Sequence, residues 1–139
     1  MTRTEEREQA FFLIFEKAFN MDTDCDDIIA YAVEARLLEP TVFSTALFKQ
    51  TYEKLDEIDA VIEKYAIGWK KKRLSKVTLS VLRLAICEIR FVDAVPYGVS
   101  ANEAVELAKK YATSDDAAFI NGILGAYIRS GDLHVVSGD

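Results

Sequence analysis

The segment from Lys76 to Val92 constrains this chain more than any other. Lys76, Ser80, Arg83, Cys87 and Arg90 recur at steps of three and four, the spacing of one helical face. Nearly every other position in the segment is apolar. A helix that is apolar on most sides belongs at the centre of a core. The spacing therefore predicts a central helix over 76–92 that reaches solvent along one polar edge. Glu88 breaks the pattern, because it falls among Val81, Leu84, Ala85 and Val92. A carboxylate there is costly to bury unpaired, so it needs a donor or a place at a rim.

The rest of the chain follows the same period. No stretch sustains strand alternation, and the two prolines, Pro40 and Pro96, read as helix punctuation. A first helix is expected over about 5–19, apolar nearly all round at Ala10 to Phe15, with Arg3, Arg7, Ala10 and Ile14 on one stripe. Asp24 to Asp27 can cap a second that ends near Glu39-Pro40. A third begins near Thr41 and breaks around Leu55-Asp56, where Asp56 is a candidate cap for a fourth ending near Ile67-Gly68. Ser100-Ala101-Asn102-Glu103 has the pattern of a capping box and is expected to start a sixth helix that ends near Tyr111. Thr113 to Asp116 cap a seventh, over about 116–129, which Ser130-Gly131 ends. The chain reads as one all-α domain over 1–139, with about seven helices in two small bundles and residues 131–139 as a loosely held tail.

Charge narrows the class of function. The 139 residues carry a net charge of −6. Residues 1–69 hold 7 Lys/Arg against 15 Asp/Glu, and residues 70–139 hold 10 against 8. A polyanion would be met by the second half, and only through a local basic patch or a partner that supplies part of the surface. No apolar run approaches the ~20 residues of a membrane span. Acidic residues stand where a signal peptide needs its apolar region, so a cytoplasmic location is expected. Cys25 and Cys87 make no disulfide framework.

Catalytic chemistry has little to build on. His134 is the single histidine and sits in the tail, and no glycine-rich phosphate loop occurs. Asp24, Asp26 and Asp27 lack the glycine and distal glutamate of a calcium loop, so helix capping is the better reading. No metal or cofactor is expected. Lys70-Lys71-Lys72-Arg73 reads equally as a solvated turn or as a phosphate contact, which Lys76 and Arg83 would extend.

Several motifs in the second half have a specific order. Leu82-Arg83-Leu84-Ala85, with Glu88 three residues on, precedes Val95-Pro96-Tyr97-Gly98-Val99. Asn102-Glu103-Ala104-Val105-Glu106-Leu107-Ala108-Lys109 and Phe119-Ile120-Asn121-Gly122-Ile123-Leu124 follow. In the first half the match is limited to Arg7-x-x-Ala10 and to Ile58-Asp59 ahead of Trp69. Together these motifs resemble the NusB family of transcription antitermination factors. The resemblance implies a NusB-like helical bundle and a non-enzymatic, RNA-binding factor. Such proteins pair with NusE, the small-subunit ribosomal protein that also serves in transcription. The pair holds single-stranded boxA RNA in nascent transcripts, joins RNA polymerase, and suppresses premature termination in ribosomal RNA operons.

Carried onto this sequence, the resemblance implies that Arg3, Arg7, Arg73 and Arg83 hold phosphates and that Phe119 offers a face to an unpaired base. It also implies that Phe15 and Glu88 face NusE. The chain departs from the family in its N-terminus, where only Arg3 and Arg7 remain among Glu5, Glu6 and Glu8. It departs again at Ala118, where the family often has a basic residue. Two other readings stay open. One is a NusB-fold interaction module, a homodimer or adaptor, with weak or lost RNA binding. The other is a piece of an RNA methyltransferase with a NusB-like N-terminal domain, against which stands the absence of a cofactor motif after that domain.

Overall fold

The computed structural model describes residues 1–66 and 74–133. Among them are seven α-helices and no strand: α1 (Arg3–Ala18), α2 (Cys25–Glu34), α3 (Val42–Glu53), α4 (Leu55–Tyr65), α5 (Lys76–Phe91), α6 (Tyr97–Tyr111) and α7 (Ser114–Ser130). The expected turn at Ile67-Gly68 and the basic run Lys70 to Arg73 lie outside the described residues, as does the tail from His134.

α5 is central, as its composition predicts. It packs against α1, α3, α4, α6 and α7, and every residue from Thr78 to Ile89 is buried. α1 to α3 gather on one side, and α4, α6 and α7 on the other. The two sides share one contiguous hydrophobic core that includes Phe11, Ile14, Phe48, Ile58, Leu82, Ile86, Ile120 and Leu124. Burying each such side chain contributes roughly 1.5–3 kcal/mol.

The middle of the polar edge of α5, from Ser80 to Cys87, does not reach solvent, which corrects the sequence expectation there. Ser80, Arg83 and Cys87 are all buried, because α3 and α4 lie over that stripe. Lys76 is exposed at the start of the helix and Arg90 half-buried at its end. A polar stripe can be covered when the covering helices supply partners, and α4 does so through Asp59.

Helix ends follow local chemistry. Thr2 caps α1 and Thr41 caps α3, each in a reciprocal capping box with the residue three positions on. α2 stops at Glu34, short of Pro40, and Arg36 adopts a left-handed φ of 57° just beyond. Asp56 does not cap α4 but lies inside its first turn. α6 begins at Tyr97 with Pro96 as its N-cap. Ser100 and Glu103 are therefore helical rather than a cap, and both side chains turn to tertiary contacts. α7 starts at Ser114 under a Thr113 cap and ends on Gly131, whose φ is 75°. The chain stays packed two residues past that point. Leu133 is buried and its carbonyl accepts a hydrogen bond from the Tyr127 hydroxyl at 3.3 Å.

Candidate functional site

Arg7 and Glu88 are expected on different surfaces but meet inside the molecule. Arg7 lies on the inward face of α1 and Glu88 near the end of α5. The Arg7 Nε donates to both Glu88 oxygens, at 2.8 and 3.1 Å. Ser100 of α6 donates its hydroxyl to the same carboxylate. A further guanidinium nitrogen of Arg7 reaches Glu103 at 3.4 Å, and Glu103 accepts from the Thr4 hydroxyl at 2.7 Å. Arg7 is 5% exposed and Glu88 2% exposed. The carboxylate thus has the donors that its apolar neighbours demand. The network ties α1, α5 and α6 together at one end of the core.

Arg83 forms the second such pair. Its Nε and one terminal nitrogen each lie 2.9 Å from an oxygen of Asp59, a bidentate geometry that joins α5 to α4. Arg83 is also 5% exposed. A guanidinium in this position is closed to a phosphate as the fold stands. The geometry of both Arg7 and Arg83 is that of an internal tie rather than a surface grip.

The remaining expected residues scatter. Arg3 is exposed at the start of α1, where its guanidinium sits 4.0 Å over the Phe43 ring and 3.2 Å from Glu6. Arg73 lies outside the described residues. Phe119 is half-buried on α7 and packs against the core. Beside it Ala118, Asn121 and Gly122 are exposed. Phe15 is half-buried on α1, with its ring 6.0 Å from Phe11 and 5.0 Å from Phe19. Phe11 in turn stacks on Tyr111 at 5.3 Å.

Exposed charge near the α1–α6 seam is mixed. Lys109 and Lys110 sit in the last turn of α6, where the helix dipole favours cations. Lys110 lies 2.6 Å from Glu8, and the Tyr111 hydroxyl donates to the same carboxylate at 2.8 Å. Burial raises the Glu8 pKa, but these two donors outweigh it and hold the carboxyl below its ordinary range. An open recess of about 400 Å³ alongside is lined by Glu5, Glu8, Glu103 and Glu106 as well as by the two lysines. No group of three or more His, Cys, Asp or Glu side chains among the described residues is arranged to hold a metal ion, and no helix among them is long and apolar enough to cross a membrane.

Three partners escaped the sequence reading. Asp59 falls beside Ile58 and Ile62 on the inward face of α4, and that apolar setting was the available signal. Ser100 was read as a cap because its motif fits one. Tyr52 gave no signal: its hydroxyl donates to the Ile14 carbonyl at 2.6 Å and pins α3 to α1.

Comparison with known proteins agrees with this architecture. The sequence pattern of the NusB family matches residues 4–129. The chain is 41% identical over 131 residues to the transcription antitermination protein NusB of Lachnoclostridium phytofermentans, covering 92% of this chain and 99% of the relative. It is 45% identical over 128 residues to the protein of the same name from Natranaerobius thermophilus, covering 89% and 92%. Its fold superposes on T. maritima NusB with a TM-score of 0.81 at 30% identity, covering 93% and 92%. A chain from a crystal structure of the antitermination factors NusB and NusE in complex with dsRNA aligns with a TM-score of 0.80 at 25% identity, covering 94% and 99%. From Thr4 to Arg129, in sequence and in fold, the chain belongs to the NusB family.

Proposed function

We propose that this chain is an RNA-binding transcription antitermination factor that works with a NusE partner. In this reading the pair holds single-stranded boxA RNA of nascent transcripts, joins the RNA polymerase antitermination complex in the cytoplasm, and suppresses premature termination in ribosomal RNA operons. It acts by binding and not by catalysis. The observation that carries the proposal is the likeness, over nearly the whole chain, to NusB from a complex with NusE and RNA. The relatives named as transcription antitermination proteins support it.

The geometry shapes how the parts would act. Lys109 and Lys110 are exposed cations at the α1–α6 seam, Arg3 is exposed at the start of α1 over Phe43 of α3, and Arg73 belongs to the basic run that follows α4 in sequence. These would meet phosphates, with Phe119 on α7 as the stacking face. Arg7 and Arg83 support the same surface from inside, by fixing α1 and α4 against α5. Phe15 and the helices that Glu88 ties together would form the NusE side. A basic ribosomal protein is attracted to the acidic first half, and the pair offers RNA a surface that this chain lacks alone.

One observation favours a second reading, an interaction module with weak RNA binding that works as a homodimer or adaptor. The outer face of α1 places Glu5 and Glu8 beside Glu103 and Glu106 of α6, and that field repels phosphate. RNA titrations with and without NusE, across a salt series, separate the two. Binding that strengthens with NusE and falls with salt supports the factor. No binding in either condition supports the module.

A further inference from the structure

Two donors meet on one oxygen at the α1–α6 seam. The Lys110 Nζ lies 2.6 Å from Glu8 Oε2, and the Tyr111 hydroxyl donates to the same oxygen at 2.8 Å. An ammonium and a hydroxyl that converge on one anionic oxygen are also the donors that a phosphate oxygen takes. Contacts other than this one hold the donors in place. The Tyr111 ring stacks on Phe11 at 5.3 Å and meets Phe12 edge-on at the same distance. The Lys110 Nζ is 5.4 Å from the Tyr111 ring centroid, so the ring keeps the ammonium near when the carboxylate lets go.

Glu8 differs from the acidic residues around it. Glu5 turns back to its own helix start, where it accepts from the Thr2 backbone and hydroxyl at 3.1 and 3.0 Å. Glu106 pairs with Lys109 within α6 at 3.4 Å, and both side chains are more than half exposed, the kind of pair that contributes little. Glu8 instead closes a lysine from another helix. Its side chain is 24% exposed while that of Lys110 is 61% exposed. An incoming anion therefore reaches the lysine from solvent and has to displace the carboxylate.

Displacement is costly. The open recess beside Glu8 is lined by Glu5, Glu103 and Glu106. A released Glu8 carboxylate joins like charges there, without its two donors. An anion that touches the chain only at this point exchanges one negative group for another and gains little.

We propose that Glu8 is a built-in phosphate mimic, a latch that occupies the Lys110–Tyr111 donor pair in the free chain and that a phosphate of single-stranded RNA displaces on binding. The inference rests on the RNA-binding reading above and adds a regulatory contact to that surface. RNA that is also held by NusE has the further contacts needed to open the latch. Nucleic acid without them is turned away.

The test uses the full chain with NusE present and a labelled boxA-like RNA, followed by anisotropy across a salt series. Glu8→Gln keeps an oxygen for both donors and removes the charge. Glu5→Gln is the control, because it removes one charge from the same recess without freeing a lysine. Glu8→Gln is expected to tighten RNA binding about three- to tenfold, and Glu5→Gln by less than about twofold. The slope of log affinity against log salt should steepen by about 0.7 in Glu8→Gln, because Lys110 then neutralises a phosphate without releasing a carboxylate. Lys110→Gln should cost more affinity in the Glu8→Gln background than in the wild type. Urea melts supply the folded fraction of each variant. Unchanged or weaker RNA affinity per folded Glu8→Gln molecule would make the contact a structural tie and overturn the proposal, with the RNA-binding reading left standing. Equal gains in Glu8→Gln and Glu5→Gln would reduce the effect to overall charge and overturn it as well. RNA bound by neither the wild type nor Glu8→Gln would overturn both the latch and the reading beneath it.

Discussion

Two buried ion pairs decide what individual residues can do here. Arg83 is held by both oxygens of Asp59, whereas Arg7 is shared between Glu88 and Glu103 and keeps Glu103 when Glu88 is removed. Asp59→Asn is therefore expected to cost about 3–5 kcal/mol, since it leaves a buried guanidinium uncompensated. Glu88→Gln should cost less. Glu88→Lys sets a second cation against Arg7 and should destabilise the protein strongly rather than give a folded protein with a weakened partner face. Urea melts of the three variants check the order, and a Glu88→Lys protein of wild-type stability would contradict the burial of this network. Sequence made these pairs half legible. Glu88 stood out because a carboxylate among apolar residues needs a donor, but which donor is a matter of how α1 crosses α5. Arg83 was misread as a surface group because nothing in its own helix reveals that α4 covers it.

Titration adds a second test at this scale. Burial pushes the Cys87 thiol from its ordinary value of 9.0 up to about 12. It also pushes the Tyr52 hydroxyl from 10.0 to about 12, although Arg83 nearby opposes this. The folded chain then keeps protons that the unfolded chain releases. The stabilising contribution is complete below pH 9 and is lost as pH rises from 9 toward 12. Cys87→Ala should remove the part of that alkaline fall that starts near pH 9. Urea midpoints measured across the window would show it. Parallel curves for variant and wild type would count against the burial of Cys87.

Elements were more legible than their contacts. Helix number, order and most starts follow from period and caps, because those signals are local. Thr41, Ser75 and Thr113 all cap where a helix was expected to begin. The start of α6 was misplaced because Ser100 and Glu103 imitate a box while serving Glu88 and Arg7. At the end of α7, Gly131 holds a left-handed φ of 75°. Gly131→Ala is expected to cost about 1–2 kcal/mol, the penalty of a Cβ in that conformation. A thermal melt unchanged by this substitution would argue against the αL cap. Phe119 on the same helix separates two roles by which quantity moves. Phe119→Ala should lower RNA affinity by about 1–3 kcal/mol if its ring stacks on a base, whereas emptying a well-packed core site costs roughly 3–5 kcal/mol of stability. Its half-buried position leads us to expect the larger change in RNA affinity. Denaturant melts and RNA titrations on one preparation check this, and a large stability loss with unchanged affinity would make Phe119 a core residue.

At the scale of the whole molecule, charge and fold have to be reconciled. A chain of net charge −6, with two of its expected RNA-binding arginines locked inside, has little surface of its own for a polyanion. The acidic first half, which weakens any grip on RNA, suits a basic protein partner. Fold class was legible from the apolar continuity of α5, and the family from motifs spread over α5 to α7. The surface was not, because burial of Arg7 and Arg83 depends on helices far apart in sequence. The central claim is that RNA recognition is shared with NusE. Fluorescence anisotropy of a labelled boxA-like RNA, titrated with this chain alone and with NusE at one salt concentration, tests it most directly. The account predicts affinity at least about tenfold tighter when NusE is present. Equal affinity in the two titrations would contradict it.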